Sequence, residues 1–140
     1  MLDSDRESPF RLQSRIRPHG LDHSCIADLR IVIVEDEEII GIFIEEILSE
    51  AGATILGVAR SVSEALEVIE QMQPNAVTLN GNLGGTISGA VAERLDELGI
   101  RYLIVSGQHI HSDPRLSAAP RLAKPFDPET LKAAAVQHLC

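Results

Sequence analysis

Cysteine is scarce in this chain. It occurs twice, at Cys25 and Cys140, which gives neither a disulfide framework nor a CxxC metal spacing. Positive charge is also short: 12 Lys and Arg stand against 21 Asp and Glu, for a net charge of −9. A bare domain this acidic lacks the basic face that nucleic acid requires. No apolar run approaches the roughly 20 residues of a membrane-spanning helix. The opening stretch MLDSDRESPF is charged where a secretory signal needs an apolar segment. The expectation is a cytoplasmic protein without a membrane or nucleic-acid partner.

The remaining composition is that of a globular domain. Hydrophobic residues make up 44% of the 140 positions and charged residues 24%, enough for one sizeable core. Residues 1–29 differ from the rest. They carry four arginines, five acids and two prolines with little periodicity, and read as an extension that is flexible or surface-bound. A short helix is expected around Phe10 to Ile16. His19 and His23 stand four apart, a spacing able to bind metal on a helix, but the Pro- and Gly-containing context favours two solvated histidines. The domain proper is expected to run from 30 to 140.

From Arg30 onward the hydrophobic pattern alternates between two periods. RIVIVE (30–35), ATILGVA (53–59), AVTLN (76–80) and RYLIVS (101–106) are strand-like runs, and PRLAKP (120–125) reads as a shorter one. Between them, residues 37–52 place Ile40, Phe43, Ile44, Ile47, Leu48 and Ala51 on one helical face, with Gly52 as a stop. SVSEALEVIEQM (61–72) opens with Ser61 and Glu64 in capping-box spacing and turns Val62, Leu66 and Ile69 inward. Residues 87–98 put Val91, Leu95 and Leu98 inward before Gly99. DPETLKAAAVQHL (127–139) starts with Asp127 as N-cap and Pro128 at the first helical position. Short apolar strands alternating with helices predict an α/β fold, a parallel sheet covered on both faces.

In such sheets ligands sit beyond the carboxyl ends of the strands. The residues there are Glu35 and Asp36, Asn80, Ser106 and Lys124, all of them polar. Adjacent carboxylates repel, and a hard cation such as Mg²⁺ relieves that repulsion. A hydroxyl and an ammonium could grip an anion such as a phosphoryl group. Each residue also has an ordinary use: a helix cap for the acids, a turn cap for the serine, a solvated charge for the lysine. Their occurrence at successive strand ends is what points to a site.

IVIVEDEE, the strand ending in Asn80, the VSG turn and the KPF tripeptide together resemble the receiver domain of two-component response regulators, over residues 30 to 139. The resemblance implies a flavodoxin-like, doubly wound five-stranded parallel sheet in the order 2-1-3-4-5. It implies that Glu35 and Asp36 hold Mg²⁺, with Asn80 at the phosphoacceptor position and the backbone carbonyl of Asn82 as further metal ligands. It implies that Ser106 and Lys124 contact the phosphoryl group, and that Lys124–Pro125 is cis. Its partners would be a sensor histidine kinase or phosphotransfer protein and, since the chain ends at Cys140, a downstream protein reached by direct contact. A homodimer is compatible with it.

Two departures follow. The acceptor aspartate of the family is Asn80 here, and an amide cannot form an acyl phosphate. On this resemblance the chain would be a receiver that is non-phosphorylatable as written. The alternative is a natural pseudo-receiver acting as a phosphorylation-independent adaptor. The Ser106–Lys124 stretch is also short, and His109, His111, Asp113 and Pro114 suit a helix poorly, so the fourth helix is expected to be shortened. Arg121 stands where an aromatic is common, so an aromatic switch is not carried over. His109 and His111 alternate as ligands on a strand can, but a solvated loop is the preferred reading. A phosphohydrolase would need a DxD arrangement that VEDEE lacks, and no GxGxxG follows the first strand, so an enzyme is not expected.

Overall fold

The computed structural model describes residues 23–107 and 113–140. The expected helix at Phe10 to Ile16, and His19, His109 and His111, lie outside the described residues.

The aliphatic runs form the centre of the molecule. β1 (Arg30–Val34) is buried beyond its first residue and β3 (Ala76–Leu79) along its whole length. Successive side chains of a strand face opposite sides of a sheet. Accordingly Ile31 and Ile33 join one core layer with Ile44, Leu48 and Leu131, while Val32 and Val34 join another with Ile69, Val91 and Leu95. A strand buried on both faces has no polar side, which is why these runs are continuous rather than alternating.

β1 pairs in parallel with β2 (Thr54–Ala59) on one side and β3 on the other; β3 pairs with β6 (Arg101–Ser106), and β6 with β7 (Arg121–Ala123). The main sheet therefore runs β2-β1-β3-β6-β7. Counting main-sheet strands alone, this is the expected order 2-1-3-4-5. Two short strands, β4 (Asn82–Leu83) and β5 (Thr86–Ile87), form a separate antiparallel hairpin. Its turn is Gly84–Gly85, with φ of 60° and 94°, values that glycine adopts without a Cβ clash. Its last residue, Ile87, is the one at which the sequence pattern started the next helix, which instead begins at Gly89.

α1 (Glu38–Glu50) and α5 (Pro128–His138) contribute to one core layer. α2 (Val62–Met72) and α3 (Gly89–Leu98) contribute to the other. Ser61 Oγ accepts from Glu64 N at 3.1 Å, half of the capping box. The other half is shifted: Glu64 Oε1 accepts from Arg60 N at 2.8 Å rather than from Ser61. Asp127 caps α5 as expected, and its hydrogen bonds from Thr130 hold its carboxyl below the usual range. The fourth helix is the five-residue α4 (Pro114–Ala118).

Two inward assignments do not hold. Leu98 is 41% exposed, because it falls in the last turn of α3, where Gly99 at φ 70° turns the chain away. Phe43 is 36% exposed and lies beside the buried stripe of α1; it stacks on Phe126 instead, with ring centroids 5.7 Å apart.

Residues 24–28 form a 3-10 turn, Ser24–Asp28, with Ile26 fully buried and Leu29 nearly so. This turn packs beside α5, which brings Cys25 to Cys140 as a disulfide with Cα atoms 6.1 Å apart. Two cysteines separated by 115 positions carry no pairing signal in the sequence; the pairing arises from the fold.

Candidate functional site

The polar strand ends converge at the carboxyl edge of the sheet. Asp36, Glu37, Asn80, Asn82, Gly84, Ser106 and Lys124 line one cleft there. Glu35 lies beneath it, 1% exposed. Main-sheet pairing fixes each position: Glu35 N donates to Ala59 O and Asn80 N to Val34 O, both at 2.9 Å, and Lys124 N donates to Ser106 O at 3.1 Å.

The Asn80 amide organises the acidic pair. Its Nδ2 donates to Glu35 Oε2 at 2.9 Å and to Asp36 Oδ1 at 3.2 Å. Its Oδ1 accepts from Asn82 N at 3.1 Å. The backbone carbonyl of Asn80 accepts from Ser88 Oγ at 2.9 Å. The other oxygen of Asp36 accepts from Gly84 N at 2.9 Å, so the hairpin turn also serves the site. Asn82 Oδ1 in turn accepts from Gly85 N at 2.8 Å.

Lys124 supplies the positive charge. Its Nζ lies 3.0 Å from Glu35 Oε1 and 3.0 Å from Glu37 Oε1. The contact with Glu37 is an aligned hydrogen bond. The contact with Glu35 is an ion pair without that alignment, leaving Glu35 Oε1 held by charge alone. A buried carboxylate that loses such a partner keeps its desolvation cost without compensation. Lys124→Ala is therefore expected to destabilise the fold by about 2–4 kcal/mol, measured as a shifted urea midpoint. Lys124→Arg should recover part of that loss. An unchanged midpoint in Lys124→Ala would show that the ion pair does not support Glu35.

This arrangement bears on the implied metal. Among the described residues no three His, Cys, Asp or Glu side chains converge to hold a cation. Glu35 and Asp36 offer the hard oxygens that Mg²⁺ favours. The third side chain, Asn80, points its N–H₂ group at them, so the chain answers the acid–acid repulsion with its own donors. A cation would have to displace those two hydrogen bonds, so these residues fit Mg²⁺ weakly.

The structure thus brings Glu35, Asp36, Asn80, Asn82, Ser106 and Lys124 to one place. The sequence reading missed Glu37, Ser88 and Gly84. Glu37 had a signal, as the third consecutive acid of VEDEE. Ser88 and Gly84 act through the hairpin, which the sequence pattern did not mark.

No family model matches the chain. It is 29% identical over 114 residues to the Phyllosphere-induced regulator PhyR of Methylorubrum extorquens, covering 78% of this chain and 43% of PhyR. The chain thus spans less than half the length of that relative. It is 36% identical to SdrG from Sphingomonas melonis, whose solution structure superposes with a TM-score of 0.67 over 76% of this chain and 92% of SdrG. The receiver domain of the Erythrobacter litoralis response regulator PhyR, 20% identical, superposes with a TM-score of 0.67 over 78% of this chain and 88% of its own length, a likeness of fold alone. A PhyR-like sequence on a receiver sheet, with its polar residues gathered at the strand ends, leads to one assignment: the chain belongs to the response regulator receiver domains.

Proposed function

We propose that this chain is a receiver module of two-component phosphorelay signalling whose site, as written, does not accept a phosphoryl group. The observation that carries this reading is Asn80. The amide stands at the end of β3, where the acceptor carboxylate of the family would stand. Its nitrogen is engaged by Glu35 and Asp36. In-line transfer needs a nucleophile together with charge stabilisation and positioning. The acid pair, Ser106 and Lys124 provide positioning and charge; Asn80 provides no nucleophile.

Mg²⁺ binds weakly in this reading, through Glu35, Asp36, the Asn82 carbonyl and the Asn80 amide oxygen. The metal would supply positive charge against the phosphoryl oxygens; the chain's residues set its place. The partners are a histidine kinase or phosphotransfer protein upstream and a protein contact downstream, with a homodimer compatible, in the cytoplasm. Among the described residues no helix is long and apolar enough to cross a membrane.

The alternative, a phosphorylation-independent adaptor, is favoured by one feature: the Asn80 amide satisfies the acid pair without a cation, so the site is complete in a single state. The test is label transfer from an autophosphorylated histidine kinase to the chain and to Asn80→Asp. The receiver reading expects label on Asn80→Asp and none on the chain as written. Absence of label from both would favour the adaptor, and label on the chain as written would overturn the proposal.

A further inference from the structure

We propose that Cys25 and Cys140 are a redox-modification site, a reversible clasp joining the 3-10 turn ahead of the sheet to the end of α5. It lies apart from the cleft and uses none of its residues.

Packing that does not depend on the bond positions both sulfurs. Cys25 is followed by Ile26, fully buried, and the turn closes through Leu29 N to Ile26 O at 3.0 Å. Cys140 follows Leu139, 2% exposed, and its N–H donates to Ala135 O at 3.2 Å. The Arg101 guanidinium donates to the Cys140 carbonyl. Both cysteines pack at the edge of one core layer and are partly exposed. A Cα separation of 6.1 Å lies in the range disulfides span without backbone movement. These contacts would hold two partly exposed thiols in place in the reduced chain.

The chemistry requires hydrogen peroxide as oxidant. One thiolate attacks the peroxide oxygen, breaking the O–O bond and forming a sulfenic acid with release of water once the leaving oxygen is protonated. The second thiolate displaces the sulfenic oxygen, forming the S–S bond and a second water. Two thiols are oxidised and one peroxide is reduced. A dithiol reverses the step by exchange through a mixed disulfide. Disulfides in reducing compartments are mostly transient or sensing. The regulatory role therefore rests on the proposed cytoplasmic reading, whereas the bond itself does not.

Closing the clasp cross-links a loop of 115 positions, which removes conformational freedom chiefly from the unfolded chain. It also ties the Ser24–Asp28 turn to the end of α5. The test uses the full chain, reduced with a dithiol and then exposed to stoichiometric hydrogen peroxide. Intact mass should show loss of the two thiol hydrogens in a monomer, restored by dithiol. The oxidised form should melt about 5–15 °C above the reduced form. Cys25→Ser and Cys140→Ser, which preserve side-chain size, should each melt like the reduced chain whatever the treatment. Thiols that stay open to alkylation after peroxide, disulfide-linked dimers in place of the internal bond, or coincident melting of the two forms would overturn the proposal. None of these readouts involves Mg²⁺ or a phosphodonor, so they are independent of the phosphorelay reading.

Discussion

Asn80→Asp should lower the thermal midpoint of the metal-free protein and make that midpoint rise with Mg²⁺. The substitution removes the donor that now serves Glu35 Oε2 and Asp36 Oδ1, and puts a third carboxylate among two others. Glu35 is 1% exposed, so water cannot replace the lost bond. Glu37 N still donates to Glu35 Oε2 at 3.2 Å, so the cost is that of crowded carboxylates and one lost hydrogen bond, about 2–4 kcal/mol, on the order of 10 °C for a domain of this size. Lys124 offsets part of the repulsion, which keeps the expected loss below the full cost of an isolated buried charge. A divalent cation at a hundredfold excess over its dissociation constant should return about 2.7 kcal/mol. The chain as written should show a much smaller Mg²⁺-dependent shift and at least about tenfold weaker affinity. Equal midpoints without metal would mean that the Asn80 amide does not hold the acid pair. Equal Mg²⁺ shifts would mean that position 80 is not a ligand.

The same substitution should also create an acceptor. Incubated with Mg²⁺ and a small acyl phosphodonor, Asn80→Asp should gain the mass of one phosphoryl group, and hydroxylamine should remove it. The required groups are already in place: Lys124 Nζ is 3.0 Å from Glu35, and Ser106, 4% exposed, lines the same cleft. Positioned charge is most of what phosphoryl transfer asks of a protein. Leaving out Mg²⁺ should abolish the gain. Full phosphorylation without Mg²⁺ would remove the metal from the account.

The sheet was legible in the sequence because its strands are buried on both faces. Continuous β-branched runs such as RIVIV have few other uses in a chain of this composition, and the strand ends then identify the residues to inspect. Helix starts were legible where a side chain caps them, at Ser61 and Asp127. What escaped depends on contacts distant in sequence or on short local turns. The β4–β5 hairpin has two-residue strands, too short for any period, yet its Gly84 amide holds Asp36. Leu98 fits the helical spacing of α3, but spacing does not reveal that the helix ends before that residue finds cover. The direction of the Asn80 amide is likewise invisible in the sequence: the letter gives both a donor and an acceptor, and only the neighbouring carboxylates decide which faces them. For that reason the sequence reading treated Asn80 as a weakened ligand, whereas the fold presents it first as a donor.

The Asn80–Gly81 step adds a chemical question. Asn-Gly deamidates readily in flexible chains because glycine leaves the backbone nitrogen unhindered. Here the Asn80 side chain is held at both ends by hydrogen bonds, and the Gly81 carbonyl accepts from Ser88 N at 2.9 Å. Ring closure would have to break that lattice, so conversion should be slow while the protein stays folded.

The most direct test of the central claim is intact mass of freshly purified chain, as written, after exposure to a small phosphodonor and Mg²⁺. The mass should be unchanged, because Asn80 offers no nucleophile while the rest of the cradle is present. An adduct appearing only in aged protein, in step with conversion of Asn80 to aspartate, would agree with the account. A hydroxylamine-labile phosphoryl adduct on fresh protein would contradict it.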